Sequence, residues 1–341
     1  MKDREEQKAS LSQYFDAVDR RIMKLAGGDL HLDLQICGRR LRVHYASLED
    51  MERSRFSFTG MIDDTKGEPE AHLSYWKDDT KNYLPSSAST GNDIYRVRDE
   101  SGELNILPGY HMKGIDRHGN RYYVCRSENE RAPLFGNSHD LLPLFDVWAR
   151  ENGMYIYHGA VVGTGGKGVI IAGRNHAGKS TLAVGCMLQG MDLVTDDQFA
   201  AVREDGVLYA MPIYRILGLN PDSFERLDPH LPVMDTLVPW EEKIFLDISG
   251  IKLPGRLAVQ AIIVPVLSHE EAPVICPADK GSAIVRIVRS SVAEYRGNDT
   301  PETVAGMVGM LKHLPVYEIR LSTDVRANAE KLKRFVQDRL L

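Results

Sequence analysis

Residues 173–181 read GRNHAGKST, with four residues between Gly173 and Gly178 and then Lys179-Ser180. This is the G-x-x-x-x-G-K-[ST] pattern of a phosphate-binding loop. The chemistry accounts for the residue types. Gly173 and Gly178 allow unusual φ values and let the main chain come close to a phosphate. Amides along Asn175, His176 and Ala177, and the start of the following helix, would hold the anion. Lys179 would reach the β- and γ-phosphates, and Ser180, followed by Thr181, would ligate Mg²⁺. A chance glycine turn before a helix is the plain alternative, and the surroundings decide between the two.

Two carboxylates follow. Asp196-Asp197 stand seventeen and eighteen residues after Lys179, at the end of the apolar run DLVT. In an open α/β sheet, the carboxyl end of a strand is the ligand-binding edge. A carboxylate there can hold Mg²⁺ or accept the proton of an attacking hydroxyl. Asp-Asp also occurs in ordinary turns; the loop upstream favours the chemical reading. His158 ends the run MYIY, twenty-one residues before Lys179. Spacing alone leaves it either a packed side chain or a site residue. Phosphoryl transfer also needs a cation near the developing charge. Arg215 in PIYRILGLN and Lys243 in EEKIFLDI stand amid apolar residues, where a charge needs a partner. Arg286 and Arg289 in VRIVRSS are later candidates, against the plain reading of solvated surface charge.

The elements that must position these residues are legible around them. KGVIIAG is strand-like and GKSTLAVGCMLQG helix-like, ending at Gly190, so the loop has a strand–loop–helix context. MYIYHGAVVG and DLVT are apolar runs of strand length. QFAAVREDGVLYAM holds Asp205-Gly206, a hairpin signal. RLAVQAIIVPVL (256–267) is a buried strand. Thr300-Pro301-Glu302 starts a helix that runs to about Leu314. VYEIRLS is a last strand. Ser322 or Thr323 then caps a final helix with Val325, Ala329, Leu332, Val336 and Leu340 on one face. Strand–helix–strand alternation around a phosphate loop implies an α/β core.

Upstream the texture changes. SLSQYFDAVDRRIMKLAG (10–27) has helical spacing and stops at Gly27-Gly28. LHLDLQIC and RLRVHYAS flank Gly38-Arg39 as a β-hairpin. SRFSFTGMI, AHLSYWK, DIYRVRD and RYYVCRS keep the texture β-like from 55 to 126. Asp78-Asp79, Ser101-Gly102 and Arg117-His118-Gly119-Asn120 separate them as turns. SENERAPLFGNS (127–138) reads as a linker, and LLPLFDVWAREN (141–152) as a short amphipathic helix. The chain has 341 residues, a length suited to two domains. The expected division is a small, mostly β domain over 1–132 and a core over 139–341. The first is assigned substrate or partner recognition, because the core must select its acceptor somewhere.

Net charge is −6, from 42 basic and 48 acidic residues, which argues against a general nucleic-acid or anionic-membrane surface. Cys37, Cys125, Cys186 and Cys276 form no C-x-x-C pair. That speaks against a disulfide framework or a zinc site and fits a reducing cytoplasm. MKDREEQKAS carries no apolar core of a signal peptide, and no apolar run approaches the ~20 residues of a membrane span. The expectation is a cytoplasmic protein with neither nucleic acid nor membrane as partner.

His158-Gly159-Ala160, GVIIAGRNHAGKSTL, the helix ending at Gly190 and LVTDD together resemble the C-terminal kinase domain of HPr kinase/phosphorylase. More broadly, the chain looks like the HPr-kinase-like serine kinases, which share a P-loop core with phosphoenolpyruvate carboxykinases. The likeness covers about 45 residues, 158–202, and runs more loosely from PIYRILGLN to the C-terminal helix. It implies an α/β P-loop kinase core with a smaller, mostly β N-terminal domain. It implies ATP and Mg²⁺ in the loop, Asp196 as general base toward a seryl hydroxyl, Asp197 in support of the base or the metal, and His158 near the transferred phosphate. There are two departures. Thr181 stands where bifunctional members usually carry glutamate. The family's glutamate-isoleucine-arginine-glycine-leucine-glycine signature is missing, and the corresponding stretch reads MPIYRILGLNPDSFERL. Both weigh against a phosphorylase activity and against HPr as substrate. They place the chain beside divergent relatives, such as kinases associated with lasso peptides and kinases of free serine. The expectation is an ATP- and Mg-dependent kinase of a serine hydroxyl on a protein, a peptide (including a lasso-peptide-type precursor) or free serine. The alternative is a nucleotide-binding regulatory protein without phosphoryl transfer. Oligomeric state has no signature in the sequence.

Overall fold

The computed structural model describes residues 11–65, 67–85, 94–127, 141–174, 176–234, 243–268, 270–294 and 300–340. Asn175 and nearly all of the 127–138 stretch lie outside the described residues. The chain is mixed α/β and divides into two compact units, Met1–Phe56 with Met61–Trp148, and Ser57–Gly60 with Ala149–Leu341. This differs from the 1–132 and 139–341 read from the sequence.

In the first unit, α1 (Leu11–Ala26) buries Leu11, Phe15, Val18 and Ile22, one stripe at helical spacing. β1 (His31–Ile36) and β2 (Arg39–Tyr45) form the expected hairpin. The turn is Cys37-Gly38, with φ of 54° and 74°, one residue earlier than read; two positive φ values are what a tight hairpin turn requires. α2 (Leu48–Arg55) then takes the start of SRFSFTGMI, which had read as strand. Ser47 caps it by accepting from the Asp50 amide, and Glu49 and Asp50 fill the first turn. A capped start with acidic residues favours a helix over the β-like alternation that follows. β3 (Ala71–Lys77), β4 (Tyr95–Arg98), β5 (Gly102–Leu107), β6 (His111–Asp116) and β7 (Arg121–Arg126) complete a seven-stranded sheet of order β1-β2-β3-β7-β6-β5-β4. β2, β3 and β7 run parallel. α1 covers the β5–β6 part of the sheet, with Phe15 stacked on Tyr123 at 4.5 Å. Asp116 is fully buried and accepts from Arg121 Nε at 2.8 Å and from the Ser12 hydroxyl at 2.9 Å.

After α3 (Leu142–Glu151), the second unit runs β8 (Tyr155–His158), β9 (Ala160–Thr164), β10 (Lys167–Ile171), α4 (Lys179–Leu188), β11 (Asp192–Thr195), β12 (Gln198–Glu204) and β13 (Val207–Pro212). It continues with β14 (Leu217–Leu219), α5 (Pro221–Leu227), β15 (Ile244–Leu246), β16 (Leu257–Leu267), β17 (Val274–Pro277), α6 (Lys280–Glu294), α7 (Pro301–Leu311), β18 (Val316–Leu321) and α8 (Val325–Arg339). The main sheet has the order β11-β9-β10-β16-β13-β12-β8, with β18 also on β16 and β17 on β18. β16 lies parallel to β10 on one edge. Its other edge is shared between β13, antiparallel, and β18, parallel.

Alternate residues of these strands face opposite sides. Val162, Val169, Ile171, Leu193 and Ile263 pack with α4 and α8. Val161, Ile170, Val194, Ile262 and Val264 pack with α6 and α7. The result is a sheet with helices on both faces. Two readings are corrected here. MYIYHGAVVG is two strands, split at Gly159, and they join different neighbours: β8 pairs β12, while β9 pairs β10 and β11. The cap of α8 is Asp324, which accepts from the Arg326 and Ala327 amides. Ser322 instead donates its amide to the Asn328 side chain. No helix among the described residues is long and apolar enough to cross a membrane.

Candidate phosphate-binding and carboxylate site

β10 stays hydrogen-bonded to its end, since the Ala172 amide donates to Ile263 O at 3.0 Å. The chain then leaves the sheet at Gly173. It enters α4 through Gly178, which has φ 87° and offers no side-chain cap to the first amides of the helix. A β-carbon at 178 would also lie 3.0 Å from Leu321 Cδ1, so glycine is needed twice over. His176 takes φ 60°, sparsely populated for a residue with a β-carbon. Lys179 is buried at 7% exposure, and its ammonium donates to Gly173 O at 3.4 Å and Arg174 O at 3.2 Å. The lysine is thus folded onto its own loop, where an anion would compete for the same protons. Ser180 is half-buried in the first turn of α4. The Thr181 hydroxyl is engaged with that of Ser223 on α5 at 2.8 Å. A cavity of about 240 Å³ adjoins the loop, lined in part by His176, Gly178, Thr181, Asn220, Ser223 and Asn328.

The carboxylates sit at the end of β11. The Thr195 hydroxyl donates to Tyr214 O at 3.2 Å and accepts from the Asp197 amide at 3.4 Å. Asp197 O accepts from the Gly159 amide at 2.7 Å. These bonds fix the Asp196-Asp197 turn against the β8–β9 corner. Asp196 is only 3% exposed, and one of its carboxyl oxygens has no hydrogen-bond partner. Burial, and then the neighbouring Asp197 carboxylate, push its pKa up to about 7, while Lys243 and the Gly218 amide hold it lower than it would otherwise be. His158 Nε2 lies 3.6 Å from Asp197 Oδ1. The His158 main-chain N–H donates to the buried Ser291 hydroxyl of α6 at 3.0 Å.

The sheet explains why these parts share an edge. β9 runs antiparallel between β10 and β11, pairing Ala160 with Ile171 and Val161 with Thr195. The ends of β10 and β11 therefore flank the start of β9. Gly159 seats the corner, because a β-carbon there would lie 2.9 Å from Ile171 O and 3.4 Å from Ala172 Cβ. His158, the root of the loop and the aspartate pair are brought together this way.

The basic candidates separate. Lys243, just ahead of β15, acts on the Asp196 carboxyl. Arg215 is half-buried and donates to Pro254 O at 2.7 Å and Leu253 O at 3.4 Å. Burial lowers its pKa, and no hydrogen bond or ion pair among those described joins it to the aspartates. Arg286 and Arg289 are exposed on α6, whose Ala283, Ile284, Ile287 and Val288 face the core. The sequence reading missed Ser291 and Gly218. Ser291 hides in VRSS, and the partners of Gly218 emerge only when β14 pairs β15.

Among the described residues, no three His, Cys, Asp or Glu side chains form a metal-binding group. The Ser180 hydroxyl and the Asp197 carboxylate are the kind of oxygen donors that a hard cation sharing its shell with phosphate oxygens and water would take.

A comparison with protein-family models found no match, nor did one with curated proteins. Among solved structures, the chain is similar to the Hpr(Ser) kinase/phosphatase from Coxiella burnetii, at 15% identity and a TM-score of 0.30, over 54% of this chain and 97% of that one. A TM-score this low transfers no role to any residue, and the site stands on its own geometry.

Proposed function

We propose that this protein is an ATP- and Mg²⁺-dependent kinase of a serine hydroxyl, built on an α/β P-loop core. The acceptor is a serine of a protein or a peptide (a lasso-peptide-type precursor included) or free serine. The observation that carries the reading is Asp196, a buried carboxyl with one unpartnered oxygen and a pKa of about 7, at the same sheet edge as the loop. A general base works best with a pKa near the operating pH.

In this reading the loop amides and Lys179 hold the β- and γ-phosphates. The acceptor hydroxyl donates to the unpartnered Asp196 oxygen. Its own oxygen attacks the γ-phosphorus in line, the bond to the β-phosphate oxygen breaks, and the proton ends on Asp196. Mg²⁺, when bound, offsets phosphate charge; Ser180 and Asp197 are the residues that would hold it. His158, beside Asp197, is assigned a place near the transferred phosphate. Lys243 supplies the cation next to Asp196. Arg215 would have to give up the carbonyls of Leu253 and Pro254 to join it. The first unit is assigned acceptor recognition.

The test is ADP release and phosphate transfer with free serine, serine-bearing peptides and HPr offered separately. Transfer to one of them fixes class and substrate together. Asp196→Asn is expected to lose turnover and keep ATP binding, and Lys179→Ala to lose both. Tight ATP binding with no acceptor would overturn the kinase reading in favour of a regulatory nucleotide-binding protein.

A further inference from the structure

We propose that Gly218 is a positioning residue: by lacking a side chain it lets the Lys243 stem pass over β14 and bring its ammonium to Asp196, while its own amide binds the same carboxyl. The rate effect rests on the kinase reading; the geometry does not.

Gly218 is the central residue of β14 and pairs with Phe245 of β15. Glycine weakens a strand and often marks a close approach. Its φ lies outside the left-handed region, so the backbone does not require glycine there; the space does. A β-carbon at 218 would lie 3.0 Å from Lys243 Cδ and 3.0 Å from Phe245 Cε1. Phe245 is 2% exposed and fixed in the core, where neighbours cannot yield. Lys243 is exposed and on a flexible stem, so it is the side chain that would move. Two effects on Asp196 meet at this residue. The Gly218 amide donates to the carboxyl, and the Lys243 charge acts on it. Both lower the cost of an aspartate buried beside Asp197, and both depend on β14 lying flat against β15.

Gly218→Ala should lower kcat about 10-fold, less than the roughly 10²–10⁴-fold worth of the base itself, and leave KM for ATP within about two-fold. In a Lys243→Ala background the same substitution should cost nothing more, since the stem it displaces is gone. Geometry is read without turnover in protein whose lysines carry ¹³C-methyl groups added by reductive methylation. The Lys243 signal, assigned with Lys243→Arg, should shift on Asp196→Asn in the parent and not in Gly218→Ala. A Lys243 signal indifferent to Asp196→Asn in the parent overturns the proposal. So does a Gly218→Ala cost that is equal with and without Lys243. So does a loss of folding in Gly218→Ala that Lys243→Ala does not relieve, because Phe245 would then be the constraint. If the parent phosphorylates no acceptor, the kinase reading fails and the lysine spectrum alone decides this one.

Discussion

Asp116 in the first unit is 0% exposed and Asp196 in the second is 3% exposed, yet their carboxyls are treated in opposite ways. Burial by itself raises both. Around Asp116 the fold supplies donors: Arg121 through Nε at 2.8 Å and Nη2 at 2.6 Å, and the Ser12 hydroxyl at 2.9 Å. Those bonds, with the Gly119 amide, bring its pKa below the ordinary value. Arg121 is itself shared with Asp16 and Asp19. Around Asp196 the fold supplies a second carboxylate and leaves one oxygen without a partner. The first carboxylate is a strut that stays charged. The second sits near neutrality and can change its protonation state. Desolvation alone does not mark a functional group; the partners that accompany it do.

The contrast can be broken most visibly by turnover. On the kinase reading, Asp196→Asn should reduce phosphoryl transfer by roughly 10²–10⁴-fold, the usual worth of a positioned base. Asp116→Asn should leave it within a few-fold. ADP release measures both. Next in size is stability. Arg121→Ala strands the Asp116 charge and should cost about 3–5 kcal/mol in urea unfolding, part of which Asp116→Asn should restore in the double variant.

Acidity then separates the two sites by sign. The Asp196 pKa is raised from 3.8 to about 7, so its contribution to stability is complete below about pH 4 and is lost as pH rises through about 7. The Asp116 pKa is lowered, so its contribution is present above the ordinary value of 3.8 and is lost as pH falls through the folded one. Melting temperatures from pH 4 to 8 should show Asp196→Asn gaining on the parent as pH rises. Asp116→Asn should lag the parent across this whole range. A parallel course for the two variants would erase the contrast. The smallest effect is Ser12→Ala, which removes one donor from Asp116 and should cost about 1 kcal/mol by the same melts.

Much of the backbone around the candidate site was legible in the sequence because its signals are local. Gly173 to Ser180 is a contiguous pattern, and KGVIIAG and LVT are runs of strand length rich in β-branched residues. Gly190 and Asp205-Gly206 carry their own backbone chemistry, with φ of 81°, 49° and 80°. The misreadings have physical causes. MYIYHGAVVG is uniformly apolar, so nothing in its composition marks Gly159 as a corner; the demand comes from Ile171 O across the sheet. α6, where the sequence reading expected no element, is rich in β-branched residues, and its Ala283, Ile284, Ile287 and Val288 show helical spacing only once one face is known to be buried. SRFSFTGMI alternates like a strand, yet Ser47 had already begun a helix. The tie between Asp196, Gly218 and Lys243 joins residues far apart in the chain, and no local rule reaches that far.

β16 has a consequence for timing. Ile262 pairs with Ile170 on one edge and Val316 on the other, so the middle of the sheet is assembled from three distant stretches. Contacts of that span form slowly. During synthesis, β10 and the loop after it leave the ribosome long before β16, and β16 waits in turn for β18. Leu321, the residue that bounds Gly178, arrives last of these. The loop must therefore be made early and shaped late, and until residue 321 has emerged the nascent chain carries its glycine-rich loop without the sheet that sets it.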